Sequence, residues 1–388
     1  MSLNSMSLIN SYTQTSIIHG PDSVDQLGEL VSGWQCSRAL VVSDPGIIEV
    51  GHTSRGCAVL ESAGIETHIF SDVHENPTTD DVKRGTMIAN EFQPDVLIGL
   101  GGGSSMDCAK GINFLYSNGG EMKDYWGIGK ASQPMLPMVA IPTTAGTGSE
   151  TQSFALISDA ETHVKMACGD KKASCKVAIL DPTLTTTQPR VVTAVTGIDA
   201  IAHALETYVT TKRNEISLAY SQEAWLRLAS NFTNVLSNAP SIESREQMQL
   251  GACLAGMAIE HSMLGATHAL ANPLTAKYGI IHGQAIAIML PHVIRFNADE
   301  VSDQYEQLLQ NTASADNTLP SGSVEDLAQF VASLVKQSGL STSLVQCGVE
   351  HDLLPALAEH AAEQWTGQFN PRKVEKEELL GLYEKAYE

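Results

Sequence analysis

Two hydrophobic rhythms divide this chain. In the first half, short apolar runs alternate with longer stretches of helical periodicity. Residues 39–43, 66–70, 95–100, 138–141 and 177–180 read as strands, and 79–91 reads as a helix with Thr79 or Asp80 near its N-cap. Apolar strands separated by helices predict a parallel sheet covered on both faces. Near Thr187-Gln188-Pro189-Arg190 the pattern changes. Helical periodicity then dominates, at 193–208, 215–236, 243–263, 284–296, 324–337, 353–365 and 375–387. Ser323 and Asp326 make a capping pair for one of these helices. The polar, acidic stretch 298–323 reads as surface. The expected architecture is an α/β domain, residues 1–188, followed by an all-helical domain, residues 189–388, with a ligand cleft at the junction.

Charge removes several functions from consideration. The 388 residues carry a formal net charge of −21, poor footing for nucleic acid or an anionic membrane surface. No uninterrupted apolar run is long enough to span a bilayer. The N-terminus shows no secretory signal, and Met1-Ser2-Leu3 reads as an expression scar. Seven cysteines without a CxxC pair read as reduced thiols, the pattern of a cytoplasmic protein.

Two loops in the first half carry chemistry. Gly101-Gly102-Gly103-Ser104 follows a strand and opens a helix containing Asp107 and Lys110. Such glycines let the backbone approach a phosphate, and the helix N-terminus turns free N–H groups toward the anion. The dinucleotide fingerprint is matched imperfectly, by Gly99, Gly101 and Ser104. A glycine-rich turn that only redirects the chain is the plainer alternative. The second loop, PTTAGTGSE at 142–150, offers hydroxyls from Thr143, Thr144, Thr147 and Ser149. Asp44 ends the first strand, where a carboxylate accepts from ribose hydroxyls and disfavours a phosphorylated ribose. An Asp before Pro also forms ordinary turns.

The second half holds GIDAIAHALE, residues 197–206, with Asp199 and His203 four apart on one helical face. A carboxylate beside an imidazole is half of a site for a borderline divalent cation. His268 and His282 lie downstream in apolar or small-residue settings, where an unpaired polar group is costly. Glu206, one turn from His203, reads as a supporting partner. His52, His68, His74, His292 and His351 read as packed or solvated residues. Spacing alone leaves open whether the four candidate ligands meet.

Together these segments resemble the iron-containing (group III) alcohol dehydrogenases. The resemblance rests on GGGSSMDCAK at 101–110, PTTAGTGSE at 142–150, LDPTLT at 180–185, GIDAIAHALE at 197–206, HALANPL at 268–274, HGQAIAIMLP at 282–291 and FNPRKVEKEEL near the C-terminus. It implies a Rossmann-like nucleotide-binding domain and an all-α metal-binding domain. It implies one divalent metal, Fe(2+) expected with Zn(2+) as the alternative, held by Asp199, His203, His268 and His282. It implies NAD contacts at Asp44, Gly102, Gly103, Ser104, Thr143 and Thr144, extended to Asn76, Thr147, Lys165 and Leu184. A small alcohol or aldehyde is the implied substrate, and a homodimer or larger homo-oligomer the implied assembly. Many members carry a further His four residues after the third ligand. Here that position is Asn272, which cannot titrate. The rival readings are a polyol dehydrogenase, an oxoacid transhydrogenase or maleylacetate-type reductase, a dehydroquinate-synthase-like cyclase and a binding protein without catalysis.

Overall fold

The computed structural model describes residues 13–388; the Met1-Ser2-Leu3 opening lies outside them. Contacts divide the chain into a first unit ending at Gln188 and a second, Pro189–Glu388.

The first unit is built on a six-stranded sheet. Its strands are β1 (Ser16–His19), β2 (Arg38–Val42), β3 (Glu66–Phe70), β4 (Val96–Gly101), β6 (Met138–Pro142) and β9 (Val177–Leu180), in the order β1-β9-β6-β4-β2-β3. Every neighbouring pair is parallel. β4 and β6 are buried throughout, which is why they read as unbroken apolar runs. β2 sends the chain to β3 on one side, and β4 lies on its other side. That reversal opens a crevice beyond the carboxyl ends of β2 and β4, where doubly wound sheets bind ligands. Apolar side chains from the sheet pack on helices α1 (Leu27–Gly33) and α3 (His52–Ser62) in a core that includes Leu27, Leu60, Ile98 and Ile179. A second, three-stranded sheet joins β5 (Gly127–Ile128), β8 (Lys165–Gly169) and β7 (Phe154–Ser158). β1, β5, β7 and β8 are not among the strands expected from the sequence. β7 alternates between buried and half-buried positions and lacks the apolar run that marks the central strands.

The second unit is helical among the described residues. Its centre is α6 (Arg190–Val209), buried almost without interruption from Thr193 onward. Small residues let neighbours come close. A Cβ at Gly197 would lie 2.7 Å from the Phe232 ring, so only glycine fits against α7 (Glu215–Val235). Helices α8 (Ile242–His261) and α10 (His282–Ala313) also pack on α6. No helix of the described residues is long and apolar enough to cross a membrane.

Three elements depart from the expectation. α4 (Thr79–Phe92) is capped one residue earlier than expected, by Thr78, in a capping box with Asp81. α9 (Ala266–Tyr278) was not foreseen, because Pro273 lies inside it and its N-cap residue is Gly265, which has no capping side chain. Residues 298–313 continue α10 past a kink at Val301; the surface reading holds for the polar face, with Asp299, Glu300 and Asp303 exposed, but not for the whole stretch. Val301, Tyr305, Leu308, Leu309 and Thr312 are buried at helical spacing, hidden in sequence by the acidic residues between them. The capping box of Ser323 and Asp326 is present at the start of α11 (Val324–Ser338).

Candidate active site

Asp199 and His203 are stacked one turn apart on α6, and His203 Nε2 lies 3.4 Å from Asp199 Oδ1. His268, in the first turn of α9, brings its Nε2 to 3.4 Å from the same oxygen. His282 opens α10 and reaches it at 3.8 Å. Ligand atoms of Asp199, His268 and His282 all lie within 4.8 Å of one another. The His203 and His268 rings stack with centroids 4.9 Å apart, and His268 and His282 are tilted at 5.4 Å. Asp199, His203 and His268 are buried, while the His282 side chain keeps 26% of its exposure. His282 is therefore the most exposed member of the cluster.

Glu206 supports this cluster through His268 and not, as its spacing suggested, through His203. Its Oε2 accepts from His268 Nδ1, and its Oε1 accepts from Thr267 N at 2.7 Å. The pairing crosses from α6 to α9, so no helical period in the sequence reveals it. Burial works against charge on all these groups, yet their mutual attraction wins. The imidazoles hold the Asp199 carboxyl below the usual range, His268 holds Glu206 low, and Glu206 and Asp199 raise His268. The other histidines lie elsewhere. His52 Nε2 pairs with Thr187 Oγ1, His74 Nδ1 with Asp81, and burial lowers His292 to about 4.

In the first unit, the two loops come together beyond the sheet. Thr143 N donates to Gly101 O at 3.0 Å. Gly101 has φ 153°, and a Cβ there would lie 2.4 Å from Ser105 Oγ. A Cβ at Gly103 would meet Thr147 Cγ2 at 2.7 Å. Helix α5 (Gly103–Asn118) has Gly102 as N-cap residue and no side-chain cap. Its first-turn N–H groups thus receive no hydrogen bond from a capping side chain. Asp44 takes the turn-forming role weighed for it. Oδ1 caps the short helix α2 (Pro45–Glu49) through Ile47 N, and Oδ2 accepts from Ser105 Oγ at 3.1 Å. Asn76 N donates to Ser104 Oγ at 3.3 Å, and Lys165 Nζ donates to Asn76 Oδ1 at 3.1 Å. Thr143 Oγ1 is buried without a hydrogen-bond partner, and Thr144 is half-buried beside Gly102. Leu184 is placed differently. Its side chain is packed in the apolar core, which leaves only its backbone for a ligand.

Lys110 holds the second loop in place, a role no sequence pattern announces. Fully buried, its Nζ donates to Ser149 O, Ser149 Oγ, Gln152 O and Phe154 O at 2.6–3.1 Å. Asp107 lies 3.9 Å away and accepts from Ser149 Oγ. Burial raises Glu150, at the end of the same loop, to about 7.

Residues 14–182 match the family described as iron-containing alcohol dehydrogenase, and residues 193–387 match the C-terminal portion of the same family. The chain belongs to the iron-containing alcohol dehydrogenases. It is thus an enzyme, an oxidoreductase acting on alcohols. It is 35% identical to alcohol dehydrogenase 4 of Schizosaccharomyces pombe over 89% of this chain and 82% of the relative. It is 29% identical to the NAD-dependent methanol dehydrogenase of Bacillus methanolicus over 98% of this chain and all of the relative. The crystal structure of a 1,3-propanediol oxidoreductase superposes with a TM-score of 0.92 at 31% identity, covering 96% of this chain and 98% of that one.

The cluster on α6, α9 and α10 fits the cation such a dehydrogenase calls for. Asp199 Oδ1 and His268 Nε2 are buried without a hydrogen-bond partner. With the Nδ1 proton given to Glu206, His268 Nε2 presents a lone pair to a carboxylate oxygen 3.4 Å away. Two acceptors that close repel unless positive charge lies between them. A shared proton or a metal ion supplies it, and three imidazoles with one carboxylate are a donor set for a borderline divalent ion.

Proposed function

We propose that the enzyme moves a hydride between NAD(H) and a small alcohol or its aldehyde, with one divalent cation held by Asp199, His203, His268 and His282. The convergence of three imidazole Nε2 atoms on Asp199 Oδ1 carries this reading. Ferrous iron is the expected ion, since the family is named for it, and zinc is the alternative that the donor set also suits. Such a cation, when bound, supplies Lewis-acid polarisation of the alcohol or carbonyl oxygen.

The chain's own residues do the rest. Glu206 fixes the His268 tautomer, so Nε2 and not Nδ1 is the donor atom. Gly101 to Ser104 and the uncapped first turn of α5 receive the pyrophosphate of NAD. Thr143, Thr144 and Thr147 line the adjoining loop with hydroxyls, and Asn76 with Lys165 adds a polar clamp beside Ser104. Asp44 disfavours a phosphorylated ribose. The methanol dehydrogenase relative, NAD-dependent by name, supports this choice. Asn272 Nδ2 donates to Gln364 Oε1 at 3.0 Å. That position is a neutral amide pair, and protons leave by water or the cofactor ribose instead.

The seven free cysteines suit a reducing, cytoplasmic setting, and the assembly in this reading is a homodimer or larger. The test of substrate class is a panel of short alcohols, diols and aldehydes followed by NADH absorbance, with metal-stripped protein reloaded with Fe(2+) or Zn(2+). Alcohol-dependent NADH formation in the reloaded protein is expected. Turnover with no net change in NADH would instead favour a cyclase.

A further inference from the structure

Three helices carry the candidate ligands, and one short segment touches all of them. Phe369 O accepts from Thr211 N at 2.9 Å and Thr210 Oγ1 at 3.1 Å, just past the end of α6. Asn370 Oδ1 accepts from Ala266 N at 3.2 Å, in the first turn of α9. Asn370 also pairs reciprocally with Asn297 of α10. Its Nδ2 donates to Asn297 Oδ1 at 2.7 Å, and Asn297 Nδ2 donates back to Asn370 Oδ1 at 3.2 Å. Both amides are buried, at 4% and 1% exposure, where a lost partner is costly.

The N-cap residue of α9 is Gly265, which has no side chain to satisfy the helix's free N–H groups. The caps come from elsewhere in the chain. Asn370 takes Ala266 N, and Glu206 takes Thr267 N with one oxygen and His268 Nδ1 with the other. A Cβ at Gly265 would lie 2.9 Å from Asn370 Oδ1 and 3.1 Å from Glu206 Oε1. Glycine is therefore what lets both caps reach the helix. We infer that Asn370, with Asn297 and Gly265, is a positioning element for the metal site: it sets where α9 begins relative to α6 and α10, and hence where His268 stands against Asp199 and His282. Its action passes through the helix and not through contact with the cation.

The inference rests on the metal reading above, and the experiment separates the two. Co(2+) serves as the probe. Its affinity is measured by chelator competition and its coordination by visible absorption, on the full chain with far-UV circular dichroism as a check of fold. Asn370→Ala removes the distant cap. Gly265→Ala keeps both capping groups but puts a Cβ against them, at a residue with φ −139° and ψ −143°. Leu334→Ala, in the buried face of α11, is a destabilised control outside this hydrogen-bond network. Both network variants are expected to bind Co(2+) on the order of 10–100-fold more weakly. Their visible spectrum should also shift, while Leu334→Ala keeps wild-type affinity and spectrum. Wild-type affinity and spectrum in either folded network variant, or equal weakening in Leu334→Ala, would overturn the inference. A wild-type chain that takes up no Co(2+) would overturn the metal reading, and this one with it.

Discussion

The carboxylate of Glu206 grips His268 by Nδ1 and leaves Nε2 turned toward Asp199 Oδ1, 3.4 Å away. One carboxylate thus aims an imidazole that would otherwise be free to flip or change tautomer. Glu206→Gln keeps the size of this group but gives up its charge and one of its two acceptor oxygens. We expect the variant to bind metal roughly 10–100-fold more weakly, with little change in its affinity for NADH. Chelator competition for the metal and fluorescence titration of NADH check the two halves. Equal losses of metal and NADH affinity would mean that Glu206 supports the fold at large.

Lys110 makes a second test, this time of the nucleotide loop. Its ammonium satisfies four acceptors from 149–154 and faces the buried Asp107. Lys110→Met removes a donor from each of those oxygens and takes from Asp107 its strongest counter-charge. Unfolding by denaturant should show a loss of about 3–5 kcal/mol. The KM for NAD should rise in the protein that folds, because Thr147 and Ser149 lose their anchor. A stability change under 1 kcal/mol would count against the anchor role.

Glu150 predicts a pH dependence of stability. Burial raises its carboxyl from 4.5 to about 7, against the smaller pull of a backbone hydrogen bond and Lys110. The folded state therefore binds this proton more tightly than the unfolded chain does. The stabilisation is fully present below 4.5 and is lost as pH rises through 7, a contribution of roughly 3 kcal/mol. Glu150→Gln imitates the protonated acid and should remove the dependence. Thermal unfolding at pH 5 and at pH 8 reads it directly. The variant should gain on wild type at pH 8 and gain little at pH 5.

Gly101→Ala tests the phosphate cradle. The new Cβ would sit 2.4 Å from Ser105 Oγ at a φ of 153°, a backbone conformation that alanine rarely adopts. The strain falls on the turn proposed to receive the cofactor's pyrophosphate. NADH affinity should drop by at least tenfold while metal content is unchanged. Loss of metal with retained NADH binding would contradict the assignment of Gly101 to the cofactor.

Much of this design is legible in the sequence, for local reasons. Asp199 and His203 announce themselves because helical spacing alone puts them together. The central strands show as apolar runs because both faces of a parallel sheet are covered, and Ser323 with Asp326 is legible because a capping box is a four-residue pattern. What was missed depends on distant partners. Glu206 lies three residues from His203 in sequence, but its partner His268 is 62 residues away. α9 lacks a local start signal because its caps are supplied by Glu206 and Asn370. Lys110 looks like any helical lysine until the loop closes over it. Val301 to Thr312 were masked by acidic neighbours, although the apolar period was there to be read.

The central claim is that Asp199, His203, His268 and His282 hold one cation on which turnover depends. The direct measurement is metal content per chain against alcohol-dependent NADH formation, for wild type and His268→Ala, both stripped by chelator and then titrated anaerobically with Fe(2+). Wild type should regain activity in proportion to bound iron and reach its plateau near one ion per chain, and His268→Ala should recover neither. Full turnover by chelator-stripped, metal-free wild type would contradict the account.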